Sequence, residues 1–106
     1  MIQLSLRPTV IARETRENDY RVMFEGRRVG RIREATERSG FNPCWTGAIN
    51  PPLPIPTWGT GQVPSFEDAK AAFRETWERF YASLTPHDIQ HWHHHQDAAA
   101  ERSRAS

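Results

Sequence analysis

Cysteine is almost missing from this sequence, since Cys44 is the only one among 106 residues. A single cysteine cannot form a disulfide within the chain, and residues 1–13 lack the long apolar core that a signal peptide needs. No stretch approaches the ~18 consecutive apolar residues of a membrane-spanning helix. These absences predict a soluble protein of the reducing cytoplasm that does not enter a membrane.

Lysine is almost missing too, because 13 of the 14 basic residues are arginine. The formal net charge of +1 argues against a strongly electrostatic nucleic-acid binder, but the charge is unevenly spread. Residues 1–40 hold nine arginines and six acids, residues 41–64 hold no charge, and residues 65–106 hold five basic and seven acidic groups. Bidentate recognition of phosphate or carboxylate would explain the arginines, and so would the codon bias of a GC-rich genome.

Recognisable catalytic motifs are absent as well. The sequence has no phosphate-binding glycine loop, no catalytic triad that spacing can place, and no carboxylate pair. No histidine can be paired with Cys44 from sequence, so a small core residue beside Trp45 is the simpler interpretation of this cysteine. We therefore expect a protein without catalytic residues and without a cofactor.

The strongest pattern that is present predicts an amphipathic helix over residues 66–84. Ser65 and Asp68 have the spacing of a capping box, and Glu67 adds negative charge to the positive end of the helix. At ~100° per residue, six apolar side chains fall within an arc of about 80°. They are Phe66, Ala69, Phe73, Trp77, Phe80 and Leu84. In so short a chain, a face this wide requires a sheet to pack against.

Alternating patterns predict the strands of that sheet. A hairpin over residues 20–25 and 29–33 is indicated by a turn at Gly26-Arg27. In that register Phe24 faces Val29, and Ile32 would point to the other side of the sheet. A bulge at Gly30 would bring Ile32 to the buried face, and we expect one there. Three further segments also show strand patterns. They are a short edge strand at residues 2–6, a tryptophan-bearing strand at residues 44–50, and a short strand at residues 62–63.

Three segments carry no regular pattern. Residues 14–19 are wholly polar, and residues 34–43 end in Gly-Phe-Asn-Pro, so both are interpreted as loops. Residues 51–56 contain four prolines, which lack the donors of a sheet ladder and favour polyproline II. This proline-rich segment is predicted to be a stiff connection, and a ligand for an aromatic groove is the alternative.

Together the elements predict an α+β fold, a three- to four-stranded antiparallel sheet covered on one face by the long helix. A second helix start is indicated by Thr85 as a cap residue, Pro86 at the first helical position and Asp88 at the third. The second helix has a thin apolar stripe and should pack loosely, fraying after about Ala100. We therefore expect one domain over residues 1–85 and a helical extension over residues 86–106.

Two groups of side chains are candidates for binding. Five arginines of the hairpin could line one sheet face, with Tyr20 available to stack on a base; a solvated sheet face is the alternative. These arginines are Arg21, Arg27, Arg28, Arg31 and Arg33. Four histidines of the second helix lie close together on a helical projection and could chelate a metal; a solvent-facing stripe is the alternative. They are His87, His91, His94 and His95.

The order of hairpin, tryptophan strand, glycine step and capped helix also resembles known proteins. The segment from Asp19 to Tyr81, with Val29-Gly-Arg-Ile32 and Trp45 in its first half, looks like a group of small uncharacterised proteobacterial proteins. That resemblance implies a shared fold. More distantly, the three-strand-then-helix order resembles HicB-type antitoxin domains, whose sheet and helix bind a toxin, although the glycine-rich acidic core of that family is absent here.

These observations lead to three functional hypotheses. The first is a small non-catalytic interaction or regulatory module with an unknown protein partner, in which a homodimer is possible. The second is a nucleic-acid-binding domain that uses the arginine-rich hairpin. The third is a metal-binding protein that uses the histidines of the second helix.

Overall fold

The computed structural model describes residues 2–35 and 44–105, with side chains as far as Ser103. It confirms the α+β class: a single antiparallel sheet carries two helices. The sheet has five strands in the order of the chain, one more than the upper limit expected. The strands are β1 (Leu4–Ile11), β2 (Glu14–Phe24), β3 (Arg27–Ala35), β4 (Cys44–Ile49) and β5 (Thr60–Val63).

The additional strand residues come from segments that sequence patterns assign poorly. The expectation of a loop at residues 14–19 is wrong, because this polar segment is the first half of β2 and pairs with an extended β1. Both of its faces meet solvent, so no apolar alternation marks it as a strand. Residues 34–35 also belong to β3, whereas the rest of the expected loop, residues 36–43, lies outside the described residues.

The turn of the β2–β3 hairpin lies one residue earlier than the sequence suggests. Phe24 pairs with Arg27, so the central turn residues are Glu25 and Gly26, both with positive φ, at 51° and 79°. Two positive φ values define a type I′ turn, whose twist matches that of the strands. The expected bulge is present beside Gly30, because the register shifts where Val22 pairs with Gly30 and Met23 with Arg28.

This turn gives a first prediction. Glu25 holds a left-handed conformation that is costly for a residue with a long side chain, whereas Asn-Gly is the preferred type I′ pair. Glu25→Asn should therefore raise the free energy of unfolding by about 0.5–1 kcal/mol, measured by urea denaturation. Glu25→Gln is the matched control, since it also removes the charge but keeps the strain. Equal effects of both substitutions would contradict the conformational explanation.

Helix α1 (Phe66–Ala82) begins where the capping box predicts. The backbone N–H of Asp68 donates to Ser65 Oγ at 3.1 Å. The apolar arc faces the sheet, and Trp77 is completely buried at its centre. Gly30 lets the helix approach closely, because a Cβ at that position would lie 2.3 Å from the Phe73 ring and 2.5 Å from the carbonyl oxygen of Ala48.

Helix α2 (Pro86–Ala105) starts at the predicted proline and is held more firmly than its thin stripe suggests. Thr85 and Asp88 form a reciprocal capping box, with N···O distances of 2.9 and 3.1 Å. Trp92 is completely buried, with its ring edge-on to Trp77 at a centroid distance of 5.6 Å. The helix spans residues as far as Ala105, and its fraying after about Ala100 stays a prediction. The division into a domain and an extension at residue 85 stays a prediction.

Both helices lie on the same side of the sheet. Tyr20 stacks on Phe66 of α1, and Arg27, on that side of β3, forms an ion pair with Asp97 of α2. The connection over residues 51–59 contributes to this layer as well, since Trp58 packs against Phe80. No described helix combines the length and the apolar character needed to cross a membrane.

Candidate functional site

The side of the sheet that faces away from the helices is covered by no described helix. Strand alternation fixes its residues: Val22 and Ile32 point to the helices, so their neighbours Arg21 and Arg31 point away. By the same alternation, this side carries five arginines from three adjacent strands. We call it the arginine face, and its arginines are Arg7, Arg21, Arg28, Arg31 and Arg33.

Three of these arginines form a row across the sheet. Arg7 of β1 pairs directly with Arg21 of β2, and Arg21 pairs directly with Arg31 of β3. Directly opposite residues have Cβ atoms only ~4.5–5.5 Å apart, and like charges in such positions are destabilising. The row therefore lowers the stability of the protein without a ligand. An anion between the guanidinium groups would reduce the repulsion.

One carboxylate compensates part of this charge. Asp19 is buried and accepts a hydrogen bond from Thr9 Oγ1 at 2.8 Å. It also receives a bidentate contact from Arg31, in which Nε lies 2.8 Å from Oδ1 and the terminal nitrogen binds Oδ2. The hydrogen bonds from Arg31 hold the pKa of Asp19 below its ordinary value of 3.8, although burial opposes this. By formal charge, the five arginines and one aspartate described on the arginine face sum to +4.

Two of the arginines keep donors that are not used. The Nε atoms of Arg21 and Arg28 are buried and have no hydrogen-bond partner among the described residues. Burial lowers the pKa of Arg28, and the positive charges of Arg21 and Arg31 lower it further. Unpaired buried donors in a cluster of like charges are costly. A negative charge near these guanidinium groups would offset the repulsion between them.

The remaining side chains of the arginine face are small, polar or flexible, and none of those described is aromatic. The apolar members beside the arginines are Met23, Ala35, Cys44 and Ala48. The hydroxyl and amide groups come from Ser5, Thr46, Thr60 and Gln62. The face can thus offer charge and hydrogen bonds, but no ring on which a base could stack.

Four of the five arginines expected from the sequence lie on this face, and the fifth does not. Arg27 projects to the helix side, where Nε and a terminal nitrogen contact Asp97 at 3.0 and 2.8 Å. The cause is the bulge. Strand alternation alone would put Arg27 on the same side of the sheet as Arg31, but the extra residue in the bulge puts it on the opposite side. Tyr20 is on the helix side too, with its ring 5.2 Å from Phe66, so it cannot stack on a ligand of the arginine face.

Two members of the site were missed in the sequence. Arg7 could have been found by extending the alternation of residues 2–6 by one position, because it follows the buried-side residue Leu6. Asp19 has no such signal, since it lies at the register shift where β1 and β2 lose their simple pairing. Only the folded sheet brings Asp19 to Arg31.

The histidines do not come together as a metal site. His91 and His95 are neighbours on exposed helix surface, with ring centroids 4.9 Å apart, and His87 and His94 are exposed as well. Within the described residues, no group of three or more histidine, cysteine, aspartate or glutamate side chains could hold a metal ion. His93 is half-buried instead, and burial and Arg27 lower its pKa.

Comparison with known proteins adds no assignment. No protein-family model matches the chain, and no curated protein and no solved structure matches it significantly. The resemblances to small proteobacterial proteins and to HicB-type antitoxin domains therefore stay predictions.

Proposed function

We propose that this protein is a small non-catalytic binding module that places its arginine face on the phosphate backbone of a nucleic acid. The observation that carries the proposal is the cross-strand row of Arg7, Arg21 and Arg31. Planar guanidinium groups match the geometry of phosphate oxygens and bind them in a bidentate manner. A phosphate between two arginines of the row would turn a repulsion within the sheet into an attraction.

The small total charge does not contradict this proposal. The formal charge of the chain is +1, but the formal charges of the described residues of the arginine face sum to +4. The compensating acids lie largely on the helices, where Glu67, Asp68 and Asp97 are exposed. Affinity for a polyanion depends on the local field at the contact surface more than on the net charge of the whole protein.

The chemistry of the face favours nucleic acid over an acidic protein. Protein interfaces usually have an apolar core that is enriched in aromatic side chains and surrounded by a polar rim. The arginine face has the reverse composition, with charges at its centre and, among the described residues, only small or flexible apolar members, which are Met23, Ala35, Cys44 and Ala48. Interfaces with DNA are more polar and more positive than those with proteins, which is the composition found here.

The proposal also defines the mode of contact. Because the described part of the face has no aromatic side chain, the stacking that holds single strands on many binding sheets is not offered by it. Contacts to phosphates remain, and these position a protein without specifying a sequence. We therefore expect the arginine face to bind duplexes of any sequence with a pronounced dependence on salt.

The test is fluorescence anisotropy with a labelled 20-base-pair duplex, over a series of salt concentrations. Arg7, Arg21, Arg28 and Arg31, with Asp19 opposing one of them, give about three effective charges, so log K against log salt should have a slope of about −3. The double variant Arg21→Ala/Arg28→Ala should reduce this slope to about −1 to −2 and weaken binding at least tenfold. Single strands of the same sequence should bind less tightly than the duplex.

The matched control is Arg74→Ala/Arg102→Ala, which removes the same charge from exposed positions on the two helices. It should leave the affinity within about twofold of the wild-type value. An equal loss in both double variants would show that net charge alone matters and would contradict the proposal. Binding to polyglutamate as tight as binding to the duplex at the same salt would point to a protein partner instead.

A further inference from the structure

The first hairpin extends beyond the rest of the sheet. Residues 10–18, which we call the arm, are exposed without exception. Val10 pairs with Thr15 and Ile11 with Glu14, and the turn residues have positive φ values of 53° and 68°. The first described pairing of β2 with β3 is at Asp19, so in this stretch β1 and β2 pair with no other described strand.

The arm exposes side chains that a free surface usually hides. Val10 is 52% and Ile11 44% exposed, which makes them the most exposed large apolar residues among those described. They make no contribution to the core, and Arg13 lies immediately beyond them in the turn. As consecutive strand residues, Val10 and Ile11 project from opposite faces of the ribbon, so a groove that meets both faces would cover them.

The root of the arm belongs to the arginine face. Thr9 and Asp19, the residues at which the arm begins and ends, are hydrogen-bonded to each other, and Asp19 binds Arg31. Asn18 reaches Glu34 of β3 at 3.5 Å. Between the pairs Pro8–Tyr20 and Val10–Thr15, β2 contains three more residues than β1. Irregularities of this kind bend a ribbon and set its direction.

The dimensions of the arm match one groove of duplex DNA. Ala12 lies three positions beyond Thr9, so the ribbon extends about 10 Å past its root at ~3.3 Å per residue. The major groove of B-DNA is about 8.5 Å deep and about 12 Å wide, and it admits a two-stranded ribbon. The minor groove is about 6 Å wide, and the major groove of an RNA duplex is too narrow for side chains to read.

On this geometry we infer that the arm enters the major groove of duplex DNA and contacts base edges, while the arginine face holds the adjacent phosphates. The inference rests on the proposed function and adds sequence preference to it. Arg13 can donate two hydrogen bonds to a guanine, and Val10 and Ile11 can contact thymine methyl groups. Glu14 can accept a hydrogen bond from a cytosine amino group. The partner is therefore double-stranded DNA.

The experiment is selection of bound duplexes from a library with a randomised centre, followed by affinity measurements on the enriched sequence. The wild-type protein should enrich a short motif and prefer it at least tenfold over random duplex. The arm variant Ile11→Ser/Arg13→Ala should lose this preference and still bind random duplex within about threefold of wild type. Ile55→Ser/Arg102→Ala is the matched control, because it makes the same changes at exposed positions outside the arm.

Several results separate this inference from the proposed function. Salt-dependent binding of the wild-type protein without any enriched motif would overturn the role of the arm and leave the arginine face in place. An arm variant that enriches the same motif as wild type would also overturn the role of the arm and leave the arginine face in place. Binding of no duplex at all would overturn both proposals. A change in sedimentation from dimer to monomer in the arm variant would show that the arm contacts a second copy of the chain instead.

Discussion

Replacing Trp92 with alanine is expected to lower the free energy of unfolding by about 3–5 kcal/mol. The side chain is completely buried, and its ring packs edge-on against Trp77. Its Nε1 donates to Gln96 Oε1 at 2.6 Å, and Gln96 Nε2 donates to the carbonyl oxygen of Arg28. The substitution would remove the ring and also break this chain of hydrogen bonds between α2 and β3.

The measurement is urea denaturation followed by tryptophan fluorescence, with far-ultraviolet circular dichroism as a second probe. A loss of this size is a large part of the 5–15 kcal/mol that stabilises a typical domain. His91→Ala, on the exposed side of the same helix, should change stability by less than about 0.5 kcal/mol. If the two variants unfolded at similar urea concentrations, α2 would not be part of the cooperative core.

Asp19→Asn is expected to have two opposite effects, a loss of about 2 kcal/mol of stability and a gain in affinity for duplex DNA. Asp19 bears the negative charge that pairs with Arg31, and bonds to charged groups contribute ~1.5–3 kcal/mol. Since Arg31 is about one-third exposed, solvent screening reduces the contribution of this ion pair to the free energy of unfolding. Without the aspartate charge, the arginine face carries one more uncompensated cation, and the salt slope should become steeper by about 0.9.

The same residue predicts a dependence on pH. The folded state holds the pKa of Asp19 below 3.8, so its contribution to stability is complete above the pKa of the unfolded chain. This contribution is lost as the pH falls through the lower pKa of the folded state. Melting curves of the wild-type protein and Asp19→Asn should therefore differ at pH 7 and converge in strong acid. A constant difference between the curves from pH 7 to pH 2 would contradict a role for the aspartate charge.

The features that the sequence predicts well are those governed by local periodicity. The α1 helix, its cap at Ser65 and the buried position of Trp77 all follow from a 3.6-residue pattern with a clear start signal. The strand that carries Trp45 follows from simple alternation between flanking prolines. In each case the residues that set the pattern also make the contacts, so local and global preferences agree.

The features that the sequence predicts poorly depend on contacts between distant segments. The strand at residues 14–19 is polar on both faces, so its composition does not indicate that it pairs with β1. The arginine face was only partly predictable, because the bulge beside Gly30 decides that Arg28 lies on it and Arg27 does not. The anchoring of α2 depends on one residue, Trp92, whose partner Trp77 lies fifteen positions earlier.

The order of elements along the chain has a consequence for synthesis in the cell. Each strand pairs with the next, so all five strands are complete when Val63 has been made. The residues that cover the apolar side of the sheet follow later, at ~5–20 residues per second. For some seconds a nascent sheet with Val22, Ile32 and Trp45 uncovered would face the ribosome surface and its chaperones. A message truncated before the codon for Phe66, where α1 begins, would make that aggregation-prone stage permanent.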